Sequence, residues 1–123
     1  MIQFDSASTI YLQVADFMTE QILTEAWPEQ ERIPSIRELA ALVQVNPNTV
    51  MRSFAYLQDN DIITNRRGVG YFVNEHGKQT VQALKKVAFI DAKLPRIFHE
   101  AALLAVTPNE LRELYNQFLG SQA

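Results

Sequence analysis

Two helix starts set close together, with a hairpin signature just behind them, constrain this chain more than anything else in its sequence. Ser35 is followed by Glu38, the spacing of a capping box, in which hydroxyl and carboxylate satisfy each other's free backbone N–H groups. Leu39, Ala40, Leu42 and Val43 give the short helix that follows an apolar face. Gln44-Val45 then turns the chain into a second start, Asn46-Pro47-Asn48-Thr49. Asparagine is a good N-cap, and proline fits the first helical position because its missing N–H is not needed there. Val50, Phe54 and Leu57 recur at helical spacing and are expected to face the core. At ~100° per residue the opposite face carries Asn48, Arg52, Tyr56 and Asp59, with Thr49 beside them. Capping explains Asn46 and Pro47. It leaves Asn48, Thr49 and Arg52 over, directed outward.

Downstream, Ile62-Ile63-Thr64 and Tyr71-Phe72-Val73 are β-rich runs. They flank Asn65-Arg66-Arg67-Gly68-Val69-Gly70, which reads as a hairpin tip with glycines at the demanding φ positions. Two helices joined by a tight turn and followed by a hairpin describe a winged helix-turn-helix. Upstream, Ile10, Val14, Phe17, Met18 and Ile22 mark an amphipathic helix over residues 10–26, ended by Trp27-Pro28. The charged stretch PEQER then reads as a linker to Ile33-Pro34. The expected fold is mainly α with a small β-hairpin, and residues 1–75 form the winged domain.

Residues 76–123 read as a helical tail. From Gln79 to Ala105 the apolar positions Leu84, Val87, Leu94, Ile97, Phe98, Ala101 and Leu104 come close to a three-four stripe, which Pro95 is expected to kink or divide. Thr107-Pro108-Asn109-Glu110 is a second capping box with proline at the first helical position. It opens a last helix through Leu111, Leu114, Tyr115, Phe118 and Leu119, ended by Gly120. Two helices have too few partners within the chain to cover these faces. A two-helix dimerisation tail is therefore expected, with Leu84 to Leu104 and Leu111 to Phe118 of those stripes at its seam.

Net charge is −3, which by itself disfavours nucleic acid. The charge is unevenly placed, however. Every charged residue from Asp5 to Glu31 is acidic, whereas arginines outnumber acids between Arg32 and Asn74. The field around the two capped helices and the hairpin can therefore be positive although the total charge is not.

That region holds the residues with contact chemistry. The free N–H groups at the start of the Ser35 helix suit a phosphate. Asparagine can bond bidentately to adenine in the major groove, threonine offers a hydroxyl and a methyl to thymine, and arginine reaches guanine or phosphate. Asn46, Asn48, Thr49 and Arg52 are the candidates on the second helix, although caps and surface would explain the first three by themselves. Arg66, Arg67 and Gly68 at the hairpin suit the DNA backbone or minor groove. No catalytic constellation is present. His76 and His99 have no second ligand at metal spacing, and no nucleophile has a base at a recognisable spacing, so neither enzyme, metal nor cofactor is expected. The chain has no cysteine, which fits the cytoplasm, and it has no signal peptide pattern and no apolar stretch near the ~20 residues that span a bilayer.

From Ile10 to Val73 the sequence resembles the winged-helix domain of the GntR family of bacterial transcription regulators. The match rests on Ile10-Tyr11-x-Gln13-Val14, Ile22-Leu23, Arg32-Ile33-Pro34-Ser35-x-Arg37-Glu38-Leu39-Ala40, Val45-Asn46-Pro47-Asn48-Thr49-Val50 and Arg67-Gly68-x-Gly70-x-Phe72-Val73. The short helical tail is similar to that of the YtrA-like subgroup, whose members dimerise through it and often sit beside genes for ABC transporters. The resemblance implies that Arg37 clamps phosphate with Ser35 assisting, that Asn48 and Thr49 stand at the front of the recognition helix with Arg52 further along, and that Arg67 and Gly68 make the wing contact. Three positions depart from the pattern. Met51 stands where the family often has arginine, the stretch Glu25 to Glu31 lacks the usual glycines, and Gln44 replaces a glycine common in the inter-helix turn. A left-handed Gln44 would carry a penalty of ~1 kcal/mol.

The expected function is a homodimeric repressor on a palindromic operator in double-stranded DNA, with transporter genes among its expected targets. Two alternatives stand beside it. One is a winged helix serving as a protein-interaction module; the other is a ligand-sensing switch with a pocket between tail and DNA-binding domain.

Overall fold

The computed structural model describes residues 9–122, so the acidic position Asp5 lies outside the described residues. The elements are α1 (Ile10–Leu23), α2 (Ile36–Val43), α3 (Pro47–Asp59), β1 (Ile63–Arg66), β2 (Gly70–Val73), α4 (Gly77–Ala88), a π turn (Phe89–Lys93), α5 (Leu94–Leu103) and α6 (Pro108–Ser121). The chain is mainly helical with a small antiparallel sheet. It divides into two compact units, one up to Leu84 and one from Lys85. No helix among the described residues is long and apolar enough to cross a membrane.

The first unit is built around one core. Val14, Met18 and Ile22 of α1 meet Leu39 and Val43 of α2, Val50, Phe54 and Leu57 of α3, and Ile62, Ile63 and Val73 of the hairpin. Val81 of α4 is fully buried in the same cluster, so the first turns of α4 belong to this unit. The Phe54 ring meets Tyr71 edge-on at 4.7 Å between centroids, which ties the middle of α3 to β2. Tyr56, expected on the outer face, is instead half-buried against the core.

Both capping boxes form as read. Ser35 Oγ accepts from the Glu38 N–H at 3.1 Å and the Ser35 N–H donates to Glu38 Oε1 at 2.9 Å. Thr107 and Glu110 repeat the arrangement at α6. Gln44 ends α2 in the left-handed region (φ 58°, ψ 48°), and the Ala40 carbonyl accepts from the N–H groups of both Gln44 and Val45. The tight inter-helix turn is therefore made without glycine, in a conformation that disfavours a side chain by ~1 kcal/mol or more. α1 stops at Leu23, short of Trp27-Pro28, because Glu25 also turns left-handed (φ 63°).

PEQER is more than a linker. The Gln30 N–H donates to the Val73 carbonyl at 2.7 Å, the Val73 N–H donates to Glu31 at 3.1 Å, and the Ile33 N–H donates to Tyr71 at 2.9 Å. Arg32 bridges Phe72 in antiparallel sense. The segment ahead of α2 is thus laced to the free edge of β2. Gly70 is required where the two approach. A Cβ there would lie 2.7 Å from Arg32 Nε, and its φ of 138° is open to glycine alone.

In the second unit the helix neither breaks nor divides at Pro95. It passes through the π turn Phe89–Lys93, where the Leu94 N–H bonds back to the Phe89 carbonyl, five residues behind. Proline has no N–H to give to an α-helical bond and its ring crowds the preceding turn. A widened turn immediately before it relieves that crowding. No residue of the π turn, α5 or α6 is buried.

Candidate nucleic-acid interface

The starts of α2 and α3 and the hairpin tip each expose polar groups. At α2 the Ser35 hydroxyl accepts from the Glu38 N–H, and its own hydrogen is turned to the Glu38 carboxylate. Hydrogen bonds from Ser35, first from its backbone N–H and then from its side chain, hold the Glu38 carboxyl below the usual carboxylate range, and the Arg32 charge adds to this. Arg37 is exposed on the first turn and, with Ala40, Ala41, Val45 and Pro47, lines a shallow depression between α2 and α3.

On α3, Asn46 Oδ1 accepts from the Asn48 N–H at 2.8 Å, so the Asn46 acceptor is committed to the cap. Asn48 is exposed and its side-chain amide has no hydrogen bond among the described residues. Thr49 is half-buried at its side. Arg52 is exposed but does not wave in solvent: its guanidinium carbon stands 4.2 Å from the centre of the Tyr11 ring of α1. Ser53, behind it, is fully buried and donates to the Tyr11 carbonyl at 2.6 Å. Met51, beside Arg52, is 52% exposed and brings no charge.

The hairpin pairs Ile63 with Val73, Thr64 with Phe72, Asn65 with Tyr71 and Arg66 with Gly70. Arg66 therefore belongs to the strand, and Arg67, Gly68 and Val69 make the tip. The Arg66 guanidinium carbon lies 3.9 Å over the Phe72 ring. Arg67 and Gly68 are exposed, with Gly68 at φ 78° and open space where a Cβ would be. The Tyr11–Arg52 and Phe72–Arg66 stacks and the edge pairing of residues 30–33 were not read from the sequence. The first joins residues far apart in the chain, the second depends on the register of the hairpin, and the third is made by backbone groups.

The second unit presents a different surface. Val87, Ile97, Phe98, Leu104, Leu114, Tyr115 and Phe118, all expected at a seam, are exposed, while Leu94, Ala101 and Leu111 are half-buried. Phe89, Ile90, Leu103 and Leu119 extend the apolar surface beyond the residues named from periodicity. Leu84 is placed differently: it is half-buried against the core of the first unit. Among the described residues no three His, Asp or Glu side chains gather where a metal ion would sit.

A capped α3 with an exposed polar front, preceded by a short helix and followed by a hairpin with arginines at its end, is the frame of a DNA-binding winged helix-turn-helix. The model of the gntR family of bacterial regulatory proteins matches residues 10–73, and this chain belongs to that family of transcription regulators. It is 33% identical over 115 residues to the HTH-type transcriptional repressor YtrA of Bacillus subtilis (strain 168), a match that covers 92% of this chain and 88% of the relative. Among solved structures, a putative transcriptional regulator of the GntR family from Bacteroides thetaiotaomicron is 38% identical, covers 93% of this chain and 99% of its own, and superposes with a TM-score of 0.72. YtrA from Sulfolobus acidocaldarius, a GntR-family transcription factor, is 25% identical over 98% of this chain and 97% of its own, with a TM-score of 0.53. The likeness extends through the tail in all three.

Proposed function

We propose that the protein is a cytoplasmic repressor that binds a palindromic operator as a homodimer and blocks transcription by occupying the site. The observation that carries this reading is the pairing of an exposed polar front on α3 with tail helices α5 and α6 in which no residue is buried. Asn48 and Thr49 face bases, Asn46 caps the helix beside them, and Ser35, Arg37 and Arg52 supply contacts around the groove. Arg66, Arg67 and Gly68 carry the wing contact. The apolar faces of α5 and α6 cover each other across a two-fold axis, burying side chains worth ~1.5–3 kcal/mol each. Half-site centres then lie about 34 Å apart, or a simple multiple of that, because both recognition helices must enter the same side of the duplex. Similarity to the YtrA repressor supports repression as the sign of regulation. Resemblance to the short-tailed subgroup makes promoters of ABC transporter genes the first place to search for the operator.

The test is a fluorescence anisotropy titration of the full chain against genomic promoter fragments at two salt concentrations. Binding to a subset of fragments, weakening with salt, is expected. Absence of binding at both concentrations would favour the protein-interaction reading, which the acidic total charge suits.

A further inference from the structure

We propose that Tyr11 is a positioning residue for Arg52: its ring holds the guanidinium on the α1 side of α3, where it meets a phosphate of the flanking strand and not a base edge. The inference rests on the DNA reading above and deepens it. Arg52 is the one cation of α3. Its guanidinium carbon lies 4.2 Å from the Tyr11 ring centre, well inside the reach of a cation–π contact. Stacking covers a face of the guanidinium and leaves its rim of N–H donors open. Among the described residues no hydrogen bond or ion pair uses those donors, although Asp59 lines the same depression with Tyr56 and Ala55.

The direction of the side chain decides what it can touch. A helix with its side chains is ~10–12 Å across and fills a major groove about 12 Å wide. Side chains pointing to the floor of the groove reach bases, and those turned sideways reach the sugar-phosphate wall. Arg52 is turned sideways, toward a neighbouring helix. Asn48, one turn nearer the front, is not held by any such contact.

Tyr11 is separable from the fold at this point. Its backbone carbonyl, not its ring, accepts from Ser53 Oγ, so a change of side chain keeps α1 pinned to α3. The ring itself is only half-buried. Tyr11 therefore orients Arg52 without being required for the core.

A double-mutant cycle on a fragment selected by the wild-type protein tests this, with affinity measured across a salt series. Tyr11→Phe keeps the stack and is expected to stay within about twofold of wild type. Tyr11→Leu removes the stack and is expected to weaken binding by roughly two- to fivefold, with a shallower salt dependence. Arg52→Ala is expected to weaken binding equally on all half-site variants and to reduce the salt slope by about two, one for each protomer of the dimer. The double variant should bind no more weakly than Arg52→Ala alone. Additive losses would overturn the positioning role, as would Tyr11→Leu lowering the melting temperature with the salt slope unchanged. Relaxed preference at one base pair in Arg52→Ala would make Arg52 a base reader and overturn the phosphate assignment. A wild-type protein that binds no fragment at any salt fails earlier, at the DNA reading itself.

Discussion

The two units of this chain spend their apolar residues in opposite ways. In the first, Phe54, Met18, Leu39 and Ile62 are fully buried in a shared cluster fed by every element. In the second, Leu103 and Leu104 are 72% and 68% exposed and neither α5 nor α6 buries a single side chain. Helical periodicity is similar in both. A stripe of apolar residues therefore says that a face wants covering, and says nothing of whether the cover comes from the same chain. Hydrophobic burial is non-directional, so only the presence of partners distinguishes a core from an interface.

The sharpest way to break the contrast is to cut between the units. A chain ending at Leu84 keeps Val81 in the core and is expected to fold, to sediment as a monomer, and to lose about 10²–10⁴-fold in operator affinity as the two half-sites lose their linkage. If it still dimerises, the tail is not the seam. Cutting earlier, at residue 76, would remove Val81 and confuse the result.

Next come truncations of one ring in each unit. Phe54→Ala should destabilise the first unit by ~3–5 kcal/mol regardless of protein concentration. Phe118→Ala should instead weaken the dimer, so that its loss of melting temperature depends on protein concentration and sedimentation shows monomer where the wild type is dimeric. Equal, concentration-independent losses would erase the distinction.

Within the first unit, Asn48→Ala is expected to relax preference at one operator position by about 1–3 kcal/mol while leaving the melting temperature in place. Selection of bound sequences from a random DNA pool, done with both proteins, reads this directly. Gln44→Gly removes the left-handed penalty and should raise stability by about 1 kcal/mol in denaturant unfolding. An unchanged midpoint would mean that added freedom in the unfolded chain cancels the gain.

The smallest effect expected concerns pH. Glu38 has a lowered pKa, so its contribution to the α2 cap is complete above its ordinary value of 4.5 and is lost as pH falls through the lowered one. Melting curves of the wild type and Glu38→Gln should converge as pH drops across that window. Curves that stay parallel would show the cap to be indifferent to charge.

Much of the first unit could be read directly from its residues because its signals are local. The Ser35–Glu38 box, the Asn46 cap and the positive φ of Gly68 each act within a few residues of themselves. Less visible were the features made by distant groups. Tyr11 and Arg52 meet only after α1 packs on α3, and the backbone pairing of Gln30 with Val73 leaves no imprint on a stretch as polar as PEQER. Proline at 95 announced a disturbance, but the form it takes depends on how the preceding carbonyls rearrange. The positions at the DNA front were nameable as residue types. Their division into cap, free amide and stacked cation needed the geometry.

The lacing of residues 30–33 to β2 has a mechanical consequence. It anchors the base of the hairpin to the segment that launches α2, while Phe54 and Tyr71 anchor β2 to the middle of α3. These two attachments restrain the hinge a two-stranded arm would otherwise have. The distance from the front of α3 to the hairpin then behaves as the opening of a caliper, set largely by the fold. If the front of α3 and Gly68 meet one duplex as proposed, a site whose groove and flanking backbone do not match that opening must itself bend, and its deformability enters recognition.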